Sequence, residues 1–330
     1  MIKSPVFAYF LRLLKRALKL LGVAMLTFLV LGALIEAVGH EVDKRRFPPP
    51  GRLVDVGGYE IHLQVAGEEY DGPTVVIDAG LAATSVSMAG LQAEIAAFAR
   101  VVTYDRAGLG WSGTPPPGRR RDAQTNARVL HEALVNADVP PPYLLVAHSM
   151  GALNMLVFAD EYRDEVMGVV LVDPSHPEQF QRYGPGHVND VETIRRGFHL
   201  AAILGRFGIW RMAGLSYLFR PENDPARQQA ELLLFLSSPR FFETSIRELD
   251  DWQAYSIPQV IDVQLGDLPL LVLSASATAE GNPVHGDLQR ELAALSSNGE
   301  YRIVDGATHG SILFQYAPAV AEAVRSMLAP

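Results

Sequence analysis

The chain has 330 residues and contains no cysteine. Disulfide bridges, zinc–thiolate sites, a thiol nucleophile and a lipid-modified cysteine are therefore excluded. Charged residues make up 20% of the chain and hydrophobic residues 48%, which is the composition of a folded protein. The sequence also lacks the H-E-x-x-H pattern of zinc enzymes and any glycine-rich phosphate-binding loop. It therefore predicts neither a metal nor a cofactor.

Net positive charge is confined to the N-terminus. The first 46 residues carry eight Lys or Arg and three acids, a net charge of +5. Since the whole chain carries −9, the remaining residues carry −14. An acidic body has no basic patch of the kind that binds nucleic acid, so we expect no nucleic-acid partner. The basic N-terminus is instead suited to a membrane surface.

One long hydrophobic run occupies residues 20–35, and its extension to residue 38 adds only one charged residue, Glu36. A membrane span needs about 17–25 apolar residues. More basic residues precede the run than follow it, which places the N-terminus in the cytoplasm and the rest of the chain on the non-cytoplasmic side. We predict a single-pass transmembrane anchor over residues 1–46. The alternative is a signal peptide cleaved near residues 37–39, although the run is long for one.

A proline-rich linker, residues 47–51, separates this anchor from a body in which short apolar runs alternate with helical spacing. The runs predict eight strands, over residues 52–56, 60–66, 74–78, 101–104, 143–147, 166–172, 270–273 and 301–304. Such alternation predicts an α/β fold with a mostly parallel sheet and helices on both faces. The core is expected over residues 52–173 and 268–330. A helical cap insertion is expected over residues 174–267.

The segment Ala147-His148-Ser149-Met150-Gly151 lies between a predicted strand and a predicted helix. A serine on such a sharp turn projects its hydroxyl away from the sheet, which requires small residues two positions away on either side. The pattern departs from G-x-S-x-G because Ala147 replaces the first glycine. We predict Ser149 as a nucleophile. The N–H of Met150, at the start of the helix, would stabilise an oxyanion.

Two further loops supply candidate partners of Ser149. The glycine-containing loop after the third strand carries Leu81, whose N–H would complete the oxyanion hole with Met150. Asp305-Gly306-Ala307-Thr308-His309-Gly310 follows the last strand. A serine hydroxyl needs a base at neutral pH, and His309 is placed to be that base.

The acid that orients His309 has three candidates. Asp173 ends an apolar strand directly before Pro174, and it is the first choice. The loop after the next strand has no aspartate at the usual place, which leaves Glu280 as an alternative acid. Asp287 is the third, although it is also placed to cap the following helix.

These motifs resemble those of the α/β-hydrolase superfamily. The resemblance rests on DAGLAA, YDRAGLGWS, AHSMG, LVDPSHPEQ and DGATHG, which span residues 74–310 in the order Ser, Asp, His. It implies an esterase-like or lipase-like serine hydrolase, with Asp105 and Arg106 in structural roles. A cofactor-free haloperoxidase, a carbon–carbon bond hydrolase and a catalytically inactive binding protein remain alternatives. A dehalogenase would need a carboxylate in place of Ser149.

The predicted cap is rich in large apolar residues, among them Phe198, Trp210, Leu215, Leu218 and Phe219. Together with the anchor, this composition favours an ester substrate that is hydrophobic or lipid-like, such as an acylglycerol or a phospholipid. The sequence does not decide whether the chain forms a homodimer. Gly22 and Gly32 do not have the G-x-x-x-G spacing that commonly pairs membrane helices, so this signal for pairing is missing.

Overall fold

The structure is a computed structural model, and it describes residues 5–213 and 226–329. The chain divides into two compact units. Met1–Pro48 and Leu200–Pro239 form the first, which we name the N-terminal unit. Pro49–His199 and Arg240–Pro330 form the second, which we name the sheet unit. The apolar cap residues Leu215, Leu218 and Phe219 lie outside the described residues.

The sheet unit is built on eight strands in the order β1-β2-β4-β3-β5-β6-β7-β8. Strand β2 runs antiparallel to β1 and β4, and the other neighbours are parallel. The strands are β1 (Arg52–Asp55), β2 (Glu60–Ala66), β3 (Thr74–Asp78), β4 (Arg100–Tyr104), β5 (Tyr143–His148), β6 (Val166–Val172), β7 (Leu270–Ala275) and β8 (Gly299–Val304). The predicted mostly parallel, eight-stranded α/β-hydrolase sheet is confirmed.

Helices connect the parallel strands. Those in the sheet unit are α2 (Ser85–Ala96), α3 (Ala123–Asn136), α4 (Gly151–Glu161), α5 (Gln179–Arg182), α10 (Ile257–Val260), α11 (Ser276–Gly281), α12 (Pro283–Ala293) and α13 (Ala317–Leu328). The N-terminal unit contains α1 (Pro5–Arg46), α7 (Ile209–Ala213) and α8 (Ala226–Ser237), while α6 (Pro185–Arg206) and α9 (Pro239–Asp251) belong to both units. The described part of the predicted cap is mainly helical, but its boundaries, 174 and 267, stay a prediction.

Both faces of the sheet are covered, because successive side chains of a strand point to opposite faces. In β3, Val76 packs with residues of α3 and α4, whereas Val75 and Ile77 pack with residues of α2 and α13. The inner strands β3, β5 and β6 are buried almost throughout. A sheet buried on both faces holds the carboxyl ends of its strands rigidly, and these ends carry the candidate site.

Two local expectations at the end of β7 were wrong. The stretch expected to be a loop after this strand forms the short helix α11. Asp287 does not cap the next helix, because Asn282 does so by accepting a hydrogen bond from the Val284 N–H. A proline at the first position of α12 starts the helix directly after Asn282, which leaves Asp287 inside it.

In the N-terminal unit, α1 contacts α7 through Arg211, which pairs with two acids of α1. The Arg211 Nε atom lies 2.9 Å from a Glu36 carboxylate oxygen, and its Nη1 lies 2.6 Å from an Asp43 oxygen. Gly39 lies under the guanidinium, since a Cβ there would come within 2.6 Å of the Arg211 Nε. A Cβ on Gly32 would likewise lie 2.1 Å from the carbonyl oxygen of Phe207. One face of α1 is therefore shaped to fit this segment.

Candidate active site

Ser149 lies on a tight turn between β5 and α4. Its backbone is left-handed, with φ of 53°, and its N–H donates to the Val172 carbonyl at 3.2 Å. Left-handed φ is strained for any residue with a side chain, so the surroundings must hold the turn in place. Gly151 is required there because a Cβ would lie 2.6 Å from the carbonyl oxygen of Ala79. The turn projects the serine side chain beyond the carboxyl edge of the sheet.

The structure brings three of the predicted site residues together. Ser149 Oγ lies 3.0 Å from His309 Nε2. His309 Nδ1 lies 2.6 Å from Asp173 Oδ2. His309 follows β8 and is about half exposed, whereas Asp173 follows β6 and is buried. The three side chains thus form one hydrogen-bonded series from a hydroxyl through an imidazole to a carboxylate.

Of the three candidate acids, Asp173 contacts His309 and the other two do not. Glu280 is exposed on α11. Asp287 is exposed on α12, where it pairs with Arg290 at 3.0 Å. Asp173 also has a left-handed backbone, with φ of 42°, so the chain turns sharply directly after β6.

The carboxylate of Asp173 is held by more donors than His309 alone. Its Oδ1 accepts hydrogen bonds from the Ala275 N–H at 2.9 Å and from His285 Nε2 at 2.9 Å. The Thr278 hydroxyl lies 3.4 Å from Oδ2. Burial alone would raise the pKa of Asp173, but the hydrogen bonds from His285 and His309 outweigh it and hold the pKa well below its usual range. Asp173 is therefore ionised at neutral pH.

Two residues of this group were missed from the sequence. His285, on α12, is buried, and its Nδ1 lies 2.6 Å from the Tyr183 hydroxyl. Tyr183 follows α5, at the start of the predicted cap. A signal for His285 did exist: it lies on the buried face of α12 with Gln289, among positions that would otherwise be apolar.

His148 packs against the catalytic candidates without joining the series. Its ring centroid lies 4.6 Å from that of His309, and its Nε2 lies 3.0 Å from the His309 carbonyl oxygen. A carbonyl oxygen accepts, so Nε2 carries the proton. Burial, with the nearby His309, lowers the pKa of His148 to about 3. A neutral His148 therefore anchors the loop that carries His309.

Leu81 and Met150 both border the space in front of Ser149. Neither backbone N–H has an acceptor among the residues the structure describes. Gly80 is close by, since a Cβ on it would lie 3.2 Å from the Ser149 Cβ. The two N–H groups are thus available near the nucleophile, as the oxyanion-hole prediction requires.

Arg106 fixes the loop that carries Leu81. Its guanidinium donates to the carbonyl oxygens of Ala79 at 2.7 Å and Gly80 at 2.8 Å. It also pairs with Asp78 at 2.8 Å and with Glu248 at 2.6 Å, and all three charged side chains are buried. Burial would lower the pKa of Arg106, but Glu248 and Asp78 outweigh that and raise it well above its usual value. The loop is therefore held by a permanent charge.

A cavity of about 780 Å³ adjoins Ser149 within the sheet unit. This volume lies within the range of pockets that enclose small organic ligands. Large apolar side chains contribute to its wall, among them Val191, Ile194, Phe198, Leu249, Trp252 and Phe314. None of the described lining residues is Lys, Arg or Glu, and the one aspartate, Asp173, is already bound by donors. The described wall is therefore apolar and nearly free of charge.

Across residues 5–213 and 226–329, no group of three or more His, Asp or Glu side chains could hold a metal ion. His309 and His285 are each hydrogen-bonded to Asp173, and their other ring nitrogens contact the hydroxyls of Ser149 and Tyr183 respectively. What this arrangement can do chemically is to activate the Ser149 hydroxyl, with its proton passing to His309.

Comparison with known proteins identifies a family for this chain. A sequence model described as "Alpha/beta hydrolase family" matches residues 75–323. The chain belongs to the alpha/beta hydrolase family. The match begins in β3 and ends in α13, so it contains Ser149, Asp173 and His309.

Two proteins of Bacillus subtilis are similar to this chain in sequence. YbdG of Bacillus subtilis (strain 168), an "uncharacterized protein", is 28% identical over 155 residues, which cover 47% of this chain and 46% of YbdG. YqjL of the same organism, also an "uncharacterized protein", is 30% identical over 209 residues, which cover 63% of this chain and 64% of YqjL. The chain thus spans about half the length of YbdG and less than two thirds of YqjL.

Solved structures share the fold at low sequence identity. An esterase from Thermogutta terrifontis has a TM-score of 0.57 at 17% identity, covering 84% of this chain and 98% of that one. A bromoperoxidase from Bacillus anthracis has a TM-score of 0.63 at 19% identity, covering 84% and 99%. The epoxide hydrolase CorEH has a TM-score of 0.64 at 20% identity, covering 84% and 98%. At such identities the likeness shows the fold alone.

Proposed function

We propose that this protein hydrolyses carboxylic esters whose acyl part is hydrophobic and uncharged, with Ser149 as nucleophile. The observation that carries the proposal is the 3.0 Å contact between Ser149 Oγ and His309 Nε2 beside an apolar cavity of about 780 Å³. A serine hydroxyl in contact with an imidazole, which is itself oriented by a carboxylate, is the arrangement that acyl transfer requires.

In the proposed reaction, Ser149 Oγ attacks the ester carbonyl carbon while His309 Nε2 takes the hydroxyl proton. The N–H groups of Leu81 and Met150 donate to the oxyanion of the tetrahedral intermediate. Collapse of this intermediate breaks the bond to the alcohol, which leaves with the proton from His309. Water then attacks the acyl-enzyme by the same route and releases the carboxylic acid. Asp173 keeps the His309 proton on Nδ1 and stabilises the imidazolium.

The apolar wall supports the proposed class of substrate. Removing a methylene group from water contributes about 0.8 kcal/mol, so a longer acyl chain binds better if the cavity can hold it. An uncharged wall would leave a buried phosphate or carboxylate without a counter-ion, which is costly. Neutral esters such as acylglycerols therefore fit the described lining better than phospholipids do.

The residue type at position 149 separates reactions that use a carboxylate nucleophile from those that use a serine. Attack by a carboxylate nucleophile, the route open to an epoxide-opening enzyme that forms an ester intermediate, needs an acid where Ser149 stands. A carbon–carbon bond hydrolase or a cofactor-free haloperoxidase would use the same three side chains. The apolar cavity together with the membrane-length helix favours ester hydrolysis over both.

We further propose that α1 is an uncleaved membrane anchor, with the sheet unit on the non-cytoplasmic side. The segment Tyr9–Arg46 of α1 has a mean hydropathy of 2.4 over its most apolar window, of which 6% is buried. So much exposed apolar surface supports contact with lipid. Cleavage near residues 37–39 would also separate Glu36 from the helix end that carries Asp43, although both pair with Arg211.

A series of p-nitrophenyl esters tests the proposed activity in detergent-solubilised full-length protein. We expect kcat/KM to be at least about tenfold higher for the octanoate than for the acetate. An octanoate-length chain that ends in a carboxylate should be a poor substrate. Ile194→Trp, which shortens the cavity, should lower activity toward the octanoate and spare the butyrate. A preference for acetate, or equal use of the charged ester, would contradict the proposed substrate class.

A further inference from the structure

Asp173 contacts two histidines, one on each carboxylate oxygen. His309 lies 2.6 Å from Oδ2, and His285 Nε2 lies 2.9 Å from Oδ1. The reaction proposed above uses His309 alone and leaves His285 without a role. Burying a histidine destabilises the fold unless both of its ring nitrogens are hydrogen-bonded. The contact between His285 and Asp173 therefore needs an explanation.

The protonation of His285 follows from its two partners. An ionised carboxylate can only accept, so the Nε2 of His285 carries a proton and donates it to Asp173. In a neutral imidazole the other nitrogen then accepts, and the Tyr183 hydroxyl, 2.6 Å away, is the donor. Tyr183 therefore fixes the tautomer in which His285 donates to the acid.

We propose that His285 and Tyr183 are positioning residues that hold the carboxylate of Asp173 in the rotamer and charge state that His309 needs. This inference rests on the proposed function. His285 and the Ala275 N–H occupy Oδ1, so the carboxylate cannot rotate without breaking two hydrogen bonds. Oδ2 is thereby directed at His309 before substrate binds, which is the preorganisation that a catalytic constellation requires.

The arrangement also divides the negative charge of Asp173. The titratable groups that face Asp173 are His309 from the loop after β8, His285 from α12, His148 from β5 and Tyr183 from the segment after α5. Burial, with the charge of Asp173, raises the pKa of Tyr183, which keeps its hydroxyl protonated as a donor. Two imidazoles share one carboxylate, so the hydrogen bond from His285 reduces the negative charge that Asp173 presents to His309.

Three variants of the full-length chain test this assignment. His285→Met keeps the approximate volume but removes the donor, and we expect kcat to fall about 10- to 100-fold with little change in KM. His285→Gln returns an N–H near the position of Nε2, so it should recover most of that loss. Tyr183→Phe should lower kcat about 2- to 10-fold, because it removes one neutral hydrogen bond.

The pH profile of kcat/KM separates positioning from a merely structural role. In His285→Met, Asp173 loses a donor to Oδ1 and presents more negative charge to His309, so the acid limb should move to higher pH. In His285→Gln the acid limb should stay at the wild-type position. A structural role would lower stability without moving the limb, which thermal unfolding of each variant reports.

The outcomes distinguish this inference from the proposed function. A wild-type chain that neither hydrolyses esters nor reacts at Ser149 would overturn both. An active wild type with unchanged kcat and unchanged acid limb in His285→Met would overturn the positioning role alone. If His285→Met does not fold, the comparison of Tyr183→Phe and His285→Gln with wild type decides, and wild-type kcat in Tyr183→Phe would contradict the inference.

Discussion

Ser149 and Asp173 follow neighbouring parallel strands, β5 and β6, and both have left-handed backbones, with φ of 53° and 42°. The backbones of the two turns are hydrogen-bonded to each other: the Ser149 N–H donates to the Val172 carbonyl, and the Ser175 N–H donates to the Ser149 carbonyl. Such conformations cost about 1–3 kcal/mol each in residues other than glycine. Here they direct the hydroxyl and the carboxylate to the same imidazole, that of His309.

Replacing the acid tests which carboxylate orients His309. Asp173→Asn keeps the shape but no longer holds the proton on His309 Nδ1, so kcat for a neutral ester should fall about 10³- to 10⁴-fold. Glu280→Gln and Asp287→Asn are matched controls, because both side chains are exposed and neither contacts His309. A large loss in either control, with Asp173→Asn active, would transfer the role to another acid.

His148 makes stability depend on pH. In the folded chain its pKa is about 3, whereas the unfolded chain binds this proton near pH 6.5. Between these values the unfolded state holds more protons, so stability falls as the pH is lowered through this window. His148→Gln should reduce the loss of unfolding free energy between pH 7 and pH 5 by about 1–2 kcal/mol in urea titrations.

His199→Gln is the matched control for this measurement, because His199 is exposed on α6. Its pH dependence should equal that of the wild type. If His148→Gln loses as much stability as the wild type over the same interval, His148 is not held neutral in the folded chain.

Arg106 should be among the most sensitive positions for folding. Arg106→Met leaves the buried carboxylates of Asp78 and Glu248 without their cation, and the free energy of unfolding should fall by about 3–5 kcal/mol. Arg302→Met, which breaks an exposed pair with Glu300, should cost less than about 1 kcal/mol. Thermal unfolding compares the two, and equal costs would contradict the role given to Arg106.

The contact between α1 and Arg211 leads to a prediction about maturation. A chain tagged at both ends, purified from membranes, should keep both tags on one polypeptide of 36.0 kDa plus the mass of the tags.

Arg211→Glu places like charges beside Glu36 and Asp43, so trypsin should cut faster at the basic residues 44–46 that end α1. Arg196→Glu, far along α6, is the control. Loss of the N-terminal tag near residue 39 would identify a cleaved signal instead.

The sequence predicts the sheet well because buried strands and turns leave local signals. The apolar runs around Val75, Leu144 and Val169 indicate the strands, and the pattern AHSMG indicates the turn at Ser149. Asp173 is harder to assign, because two strand ends can supply the acid. Which one bends toward His309 depends on a single left-handed residue after β6 that no local pattern specifies.

Contacts between distant segments could not be predicted. His285 meets Asp173 across 112 positions of sequence, and Arg211 meets Glu36 across 175. In each case the sequence shows one of the two residues in an unusual place: His285 on the buried face of α12, and Glu36 at the end of an apolar run. A polar residue among apolar ones indicates that it has a partner, but it does not indicate which residue the partner is.

Reaction of the purified, detergent-solubilised chain with a fluorophosphonate probe tests the central claim most directly. The probe captures only a serine whose hydroxyl has been activated, and mass spectrometry locates the adduct. The predicted result is a single adduct on Ser149, absent from Ser149→Ala and strongly slowed in Asp173→Asn, with all three chains folded by circular dichroism. A folded wild-type chain that gives no adduct on Ser149 would contradict the claim that this protein is a serine hydrolase and favour a binding protein.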